Sequence, residues 1–275
     1  KYQHGEDGAL KITTDFADGT KRIFYKAADG SHKITENGII TKAQNNLGDT
    51  RLFPKNLVNQ YIFDTIMGDP DEVGYIKDAP PPPKSLLEEN PHANFVCDVM
   101  REETDSDIAV WHNCGIRNFF HPGVIDSRDI KDISPFLDYV VVANVSEKTI
   151  VDLFKKAIKD SYSSNSGKPG LFAVSGLNYT VNPKNGTLTE MNFIDKQGKL
   201  HPINVENPSD TKKYKFVTDE FLMSAGADYM VIAKEEEYIE KYPYDKDVMV
   251  CNYMKKHKEP IVINQLGRIK YESEN

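Results

Sequence analysis

Three hydrophobic rhythms follow one another along the chain. Residues 10–42 alternate apolar and polar positions, as in Lys11-Ile12-Thr13-Thr14-Asp15-Phe16 and Arg22-Ile23-Phe24-Tyr25. The alternation is broken at Asp18-Gly19, Asp29-Gly30 and Asn37-Gly38, dipeptides that supply the positive φ angles of tight hairpins. A β-meander over 1–53 is expected. Next, Leu57, Val58, Tyr61, Ile62 and Ile66 fall at helical spacing between Pro54 and Gly68, which predicts a helix with one packing face. The run Pro80 to Pro83 favours an extended, stiff path, so 54–89 reads as a connector helix and a proline-rich linker. Beyond residue 90, helix and strand patterns alternate.

In that third segment, Phe95, Val96, Val99 and Met100 share one helix face, and Ile108 to Trp111 form a short apolar strand. Tyr139 to Ala143 is a near-continuous apolar run, the mark of a strand buried on both faces. Ser146 is placed to cap a helix whose buried stripe is Ile150, Val151, Phe154, Ala157 and Ile158. Ser161 to Pro169 reads as a loop. Strands are predicted at 172–174 and 177–181, with Asn182 to Gly186 as a turn; a hairpin follows, 188–194 and 200–205, around Gln197-Gly198. One more strand, 214–218, leads into Phe221, and Asp245 caps a helix through Val248, Cys251 and Met254 before a strand at 261–263. A chain of 275 residues accommodates one large domain, or one with a smaller companion.

Composition narrows the function classes. Hydrophobic residues at 39% and charged residues at 28% are ordinary globular usage. A formal net charge of −8 without a basic stripe argues against a nucleic-acid polymer as partner. The densest basic run, Lys255-Lys256-His257-Lys258, closes a predicted helix, where cations suit the dipole. No apolar run of about 18 residues is present, so no membrane span is predicted. Cys97, Cys114 and Cys251 lack C-x-x-C spacing, which indicates neither a zinc site nor a disulfide framework. The chain opens at Lys1 without an initiator Met or signal peptide and is expected to be a trimmed piece of a longer protein.

The candidate chemistry centres on Asp105 to Arg117. An apolar strand runs into a polar turn containing His112, Asn113, Cys114 and Gly115 and ending at Arg117. Loops at strand C-terminal ends are where α/β folds place ligands, and the planar fork of Arg117 suits an anion or a diol. Phe136 and Phe221 stand at loop starts; two such rings hold a flat base at about 1–3 kcal/mol per stacking contact. The competing reading is that both are ordinary core phenylalanines.

Five blocks in order carry a family resemblance. They are Ala93-Asn94-Phe95-Val96-Cys97-Asp98-Val99-Met100, then Asp107 to Arg117, Pro135-Phe136-Leu137-Asp138, Ser175-Gly176-Leu177-Asn178-Tyr179, and Phe221-Leu222-Met223-Ser224-Ala225-Gly226-Ala227-Asp228-Tyr229. The segment they span resembles the C-terminal domain of the 5'-nucleotidase family, which includes UDP-sugar hydrolases and 2',3'-cyclic-nucleotide phosphodiesterases. The resemblance implies an α+β fold of mixed α/β content, layered α/β/β/α, over 90–275, preceded by the meander and connector. It implies a nucleotide or nucleoside ligand whose base lies between Phe136 and Phe221, with Arg117 on the ribose or phosphate side. It also implies a parent enzyme that is periplasmic, cell-surface or secreted, with which the N-x-S/T sequons at Asn144, Asn178 and Asn185 agree.

The chain also departs from the family pattern. Where N-G-G-G-I-R is usual it has His112-Asn113-Cys114-Gly115-Ile116-Arg117, and the ribose-binding aspartate's place is taken by Ala227, with Asp228 one residue later. His112, Asn113 and Asp228 are therefore retained as candidate contacts, while the added side chains restrict backbone approach. Enzymes of the family hydrolyse phosphate esters with two divalent metal ions held in an N-terminal metallophosphatase domain. Its D-x-H, N-H-[ED] and G-H-x-H elements do not occur here, and the seven histidines are scattered singly. The expectation is a substrate-recognition fragment of a hydrolase, a partner to that N-terminal domain, with no cofactor of its own and inactive alone. Residues 1–53 would be the tail of the missing domain. The alternative is a non-catalytic binding or surface-interaction module that kept the fold and lost the nucleotide pocket.

Overall fold

The computed structural model describes residues 2–4, 10–15, 19, 21–26, 32–36, 39–44, 72–136, 138–164, 168–226, 229–257 and 259–272. The predicted Leu57 helix lies outside the described residues. The chain divides into two compact units, Lys1–Asp71 and Glu72–Asn275. The division falls upstream of the boundary expected at residue 90.

The first unit is a five-stranded antiparallel sheet in sequence order, β1 (Tyr2–His4), β2 (Leu10–Asp15), β3 (Lys21–Lys26), β4 (His32–Glu36) and β5 (Ile39–Gln44). Its register sets Ile12 opposite Phe24 and Phe24 opposite Ile34.

The second unit is mixed α/β. It opens with β6 (Glu72–Asp78), which pairs with β8 (Gly123–Asp126) and β16 (Ile261–Val262) in a three-stranded sheet. The linker reading missed this strand for a physical reason. A register shift between Glu72 and Gly74 puts both Val73 and Ile76 in the core, which removes the two-residue alternation that announces a strand. The central sheet has the order β10 (Phe172–Ser175), β7 (Ile108–His112), β14 (Lys213–Asp219), β9 (Tyr139–Ser146), β15 (Tyr238–Asp245). Only the β7–β14 pair is parallel. A four-stranded sheet has the order β13 (Leu200–Ile203), β12 (Thr187–Ile194), β11 (Leu177–Asn182), β17 (Ile269–Tyr271).

Capping residues start the helices where the sequence places them. α1 (Pro91–Glu103) has Asn90 as N-cap, accepting from the amides of His92 and Ala93, with Pro91 in the first turn. α2 (Ser127–Ile133), not anticipated, carries a reciprocal capping box between Asp126 and Asp129. Ser146 caps α3 (Glu147–Ser163) through the Thr149 amide at 3.1 Å. Asp219 caps the single turn α4 (Glu220–Met223), and Asp245 caps α5 (Lys246–Lys256). α1 packs on β7, β10 and α5, and α3 on β9 and β12. Along β7, Ile108 and Val110 join the apolar cluster of Val151, Phe154 and Tyr179, while Trp111 faces Lys246 on α5. The strand is buried at every position, as its uninterrupted apolar run requires. β15 was also not anticipated: it is a polar edge strand with two register shifts and contains Pro243, features that edge strands tolerate.

Candidate functional site

Strand directions bring the candidate loops to one end of the central sheet. β7 and β14 run parallel, so their C-terminal ends, His112 and Asp219, emerge together. β9 runs antiparallel to β14 with Asp219 opposite Val140, which delivers the preceding segment, Phe136 and Asp138, to the same end. Tyr139 pairs with Asp245, and Phe172 with His112.

The β7 end turns through Asn113, Cys114 and Gly115. A Cβ on Gly115 would lie 2.7 Å from the His112 ring and 2.9 Å from Trp111 Nε1, so only glycine fits there. Arg117 is anchored by its backbone amide, which donates to Ile133 O at 2.8 Å. Its guanidinium donates to the Cys114 and Ile116 carbonyls and lies 4.8 Å from the centroid of the Phe136 ring. The Arg117 and Phe136 side chains are therefore in direct contact. Phe221 is 36% exposed. One face of its ring is covered by Gly226, where a Cβ would come within 2.6 Å of three ring atoms. Its ring centroid is 5.3 Å from that of His112.

His112 is 5% exposed, and both of its ring nitrogens face protein groups. Nδ1 is 3.1 Å from Cys114 Sγ, and Nε2 is 3.7 Å from Asp219 Oδ2. Burial lowers its pKa to about 4, with Lys246 and Arg117 adding to the shift and Asp219 opposing it; the imidazole is neutral at pH 7. Burial likewise raises the Cys114 thiol, which keeps its proton. A neutral imidazole has one N–H and one acceptor. With the Asp219 carboxylate beside Nε2, the N–H belongs there, and the Cys114 S–H donates to Nδ1. Tyr229, buried, with its ring centroid 6.3 Å from that of His112, completes the cluster.

Asn113, also buried, donates from Nδ2 to Leu86 O at 3.4 Å and Glu88 O at 3.2 Å. It braces the segment before α1. Asp228 and Ala227 lie outside the described residues.

Behind these loops is a group of buried charges that the sequence reading did not single out. Lys246 is 1% exposed and its Nζ lies 3.0 Å from Asp219 Oδ2. Burial opposes this ammonium, but Asp219, Asp247, Asp138 and Asp245 together hold its pKa above the lysine norm. Burial works against the Asp219 carboxylate too, and Lys246 followed by His112 keeps it below the ordinary range. Lys131, 2% exposed, donates to Asp245 at 2.9 Å and Asp247 at 2.8 Å. Burial, then Asp245, pushes Asp247 up to about 8: one carboxylate neutralises the Lys131 ammonium, and the second is better off holding a proton. Nothing in a sequence distinguishes these lysines from exposed ones; the available signal is a charged triplet, Asp245-Lys246-Asp247, at a helix start.

A separate recess of about 450 Å³ opens at the opposite end of β7, beside Phe95, Arg101, Lys196 and Tyr253. Its cations are committed, Arg101 to the Asp107 and Ile194 carbonyls and Lys196 to Asp105. The described residues contain no group of three or more His, Cys, Asp or Glu side chains arranged to hold a metal ion.

A family model, "5'-nucleotidase, C-terminal domain", matches residues 72–234. The chain is 26% identical over 148 residues to the "Silent protein UshA(0)" of Salmonella typhimurium, an alignment covering 53% of this chain and 24% of the relative. The fold is similar to the NAD nucleotidase of Haemophilus influenzae (TM-score 0.66, 13% identity, 96% of this chain and 57% of that one). It is similar also to a 5'-nucleotidase precursor from Thermus thermophilus (TM-score 0.63, 16% identity, 96% and 55%). The chain thus spans about a quarter of the length of the curated relative and just over half of each solved one.

Proposed function

Because this chain belongs to the family of 5'-nucleotidase C-terminal domains, we propose that its second unit is the substrate-recognition part of a 5'-nucleotidase-like metallophosphoesterase. The nucleoside portion of a nucleotide stacks between Phe136 and Phe221, and Arg117 turns to the sugar or phosphate. The observation that carries this reading is the convergence, at one end of the central sheet, of a half-exposed ring backed by glycine and a second ring under an exposed guanidinium. A base offers a π-face to each ring whatever its identity, and the arginine fork adds paired donors for hydroxyl or phosphate oxygens.

Ester hydrolysis in this reading belongs to two divalent ions held by an N-terminal metallophosphatase domain, which supply the activated water. This chain's residues bind and orient, and the fragment alone is inactive as a phosphatase. Residues 1–53 are read as the tail of that domain and 54–89 as the approach to the recognition domain. A periplasmic, cell-surface or secreted location accords with the three sequons. No helix among the described residues is long and apolar enough to cross a membrane.

One observation favours the second reading, a binding module without the nucleotide pocket: both His112 ring nitrogens and the Asn113 Nδ2 face protein partners. Calorimetric titration of the full chain with adenosine, AMP and UMP separates the two. Heat with any of them, lost in Phe221→Ala, supports recognition. No heat with all three refutes it and leaves the interaction module.

A further inference from the structure

We propose that the first turn of α5 positions the aromatic slot from behind, Lys246 holding Phe221 through Asp219, and the flanking Asp245 and Asp247 holding Arg117 through Lys131 and α2. The inference deepens the recognition reading above and rests on it for the identity of the walls, but not for the physical linkage, which is a property of the ligand-free protein.

The first wall is Phe221. Lys246 Nζ contacts Asp219 Oδ2 at 3.0 Å, and the other oxygen of the same carboxylate accepts the Leu222 amide at 2.9 Å. That bond caps α4, the single turn that carries Phe221. A four-residue helix has almost no hydrogen bonding of its own, so its cap fixes where the ring stands. Asp219 Oδ2 also faces His112 Nε2, and the His112 ring lies against Phe221. Freed from Lys246, Asp219 has no other full positive charge in contact and no reason to keep this rotamer.

The second wall is Phe136 with Arg117. The residues flanking Lys246 complete the hold: Asp245 and Asp247 both accept from Lys131 on α2. α2 ends at Ile133, whose carbonyl receives the Arg117 amide. The first turn of α5 is thus the point from which both walls are fixed. Lys246 Nζ also lies 5.2 Å from the ring centroid of Trp111, the only tryptophan in the chain, so emission from Trp111 reports on its presence.

The test compares the full chain with Lys246→Met and reads amide hydrogen exchange without ligand. The expected result is that protection of the Leu222 amide falls by about tenfold or more in Lys246→Met, and that of the Arg117 amide by as much in a second variant, Lys131→Met. Val174, whose amide donates to Asn94, and Ile194, whose amide donates to Gly176, keep theirs. In Lys246→Met the His112 pKa, followed by ring-proton NMR, rises from about 4, because Lys246 contributes to depressing it; the intact reference amides separate that rise from a general opening of the core to water. A uniform loss across Leu222, Arg117, Val174 and Ile194 in either variant overturns the proposal, as does Leu222 unchanged in Lys246→Met or Arg117 unchanged in Lys131→Met. Should Lys246→Met not fold, Lys246→Gln decides, which keeps a polar side chain but removes the charge beside Asp219. Loosened Leu222 with the reference amides unchanged supports the hold, and no change at Leu222 overturns it. Adenosine titration of the unmodified chain is read separately. If it produces no heat, the recognition reading fails while the exchange data still judge Lys246; if it produces heat, Lys246→Met should weaken binding by about tenfold.

Discussion

Replacing Asp247 with asparagine tests the assignment of the buried charges most directly. Lys131 is held between two carboxylates, Asp245 at 2.9 Å and Asp247 at 2.8 Å, all three nearly inaccessible to water. Lys246 is committed to Asp219, so three buried aspartates share two ammonium groups. With Asp247 pushed up to about 8, the residue is protonated at pH 6–7, and asparagine reproduces its size, its lost charge and its oxygen toward Lys131. The substitution should then cost less than about 1 kcal/mol below about pH 4, where the unfolded carboxyl also holds its proton, within the range of replacements that keep a satisfied polar contact.

The pH dependence follows from linkage. A carboxyl raised from 3.8 to about 8 binds a proton in the folded state that the unfolded chain releases. Its contribution to stability therefore falls as pH rises through that window, by up to about 1.4 kcal/mol per pH unit. His112, lowered from 6.5 to about 4, acts oppositely, and its contribution rises with pH between 4 and 6.5. The two slopes offset each other below pH 6.5. From 6.5 to 8 Asp247 acts alone among this pair, and wild-type stability should drop by about 2 kcal/mol. Asp247→Asn should flatten that drop and be the more stable protein throughout it, because its unfolded state gains nothing by ionising. Urea melts at pH 6, 7, 8 and 9, followed by Trp111 fluorescence, measure both curves. If the variant instead loses 3 kcal/mol or more at every pH, the magnitude expected for breaking a buried ion pair, Asp247 is the ionised partner of Lys131 and the assignment is wrong.

Other outcomes follow from the same geometry. Lys131→Met leaves Asp245 and Asp247 buried without their cation and should cost about 3–5 kcal/mol at pH 7 in the same melts. Gly226→Ala puts a methyl where the Phe221 ring now lies; the ring must move, and adenosine affinity should change more than melting temperature does. Ser146→Ala removes the Thr149 cap of α3 and should cost about 1 kcal/mol without altering any ligand affinity. Cys114, its thiol raised by burial, should react with a maleimide at pH 7 more slowly than free cysteine, with mass spectrometry following the adduct.

How much of this was legible in the sequence depended on whether a residue's partner lay nearby in the chain. Caps are local, and Ser146 and Asp245 were read correctly because each bonds an amide three residues on. The buried strands at Ile108 and Tyr139 were read from unbroken apolar runs. β15 was missed because its register shifts and charged residues give no period, and β6 because a bulge places Val73 and Ile76 on one side. At the site, Phe136 and Arg117 are brought together over a separation of 19 positions by α2, a helix the pattern did not announce. Lys131 and Lys246 were illegible in principle: a lysine's burial is decided by partners such as Asp245, more than a hundred residues from Lys131.

The altered turn after β7 is best understood through these distant partners. Measured against the family pattern, His112 and Cys114 add bulk where backbone would otherwise lie bare. Bulk inserted without compensation leaves unsatisfied buried polar atoms or displaced loops. Here the two added groups satisfy one another, the thiol donating to Nδ1 at 3.1 Å, and the remaining imidazole nitrogen is directed to a carboxylate that Lys246 already neutralises. The imidazole in turn supports the Phe221 ring at 5.3 Å. A turn that had merely lost its ligand would have no reason to place a ring beside Phe221, which stands open to solvent. The direct way to weigh this is His112→Asn, which restores the family's side chain but removes the ring. If the imidazole is a support, Phe221 loses order and adenosine binding weakens despite the restored amide; if binding strengthens instead, His112 was an obstruction, and the turn had decayed.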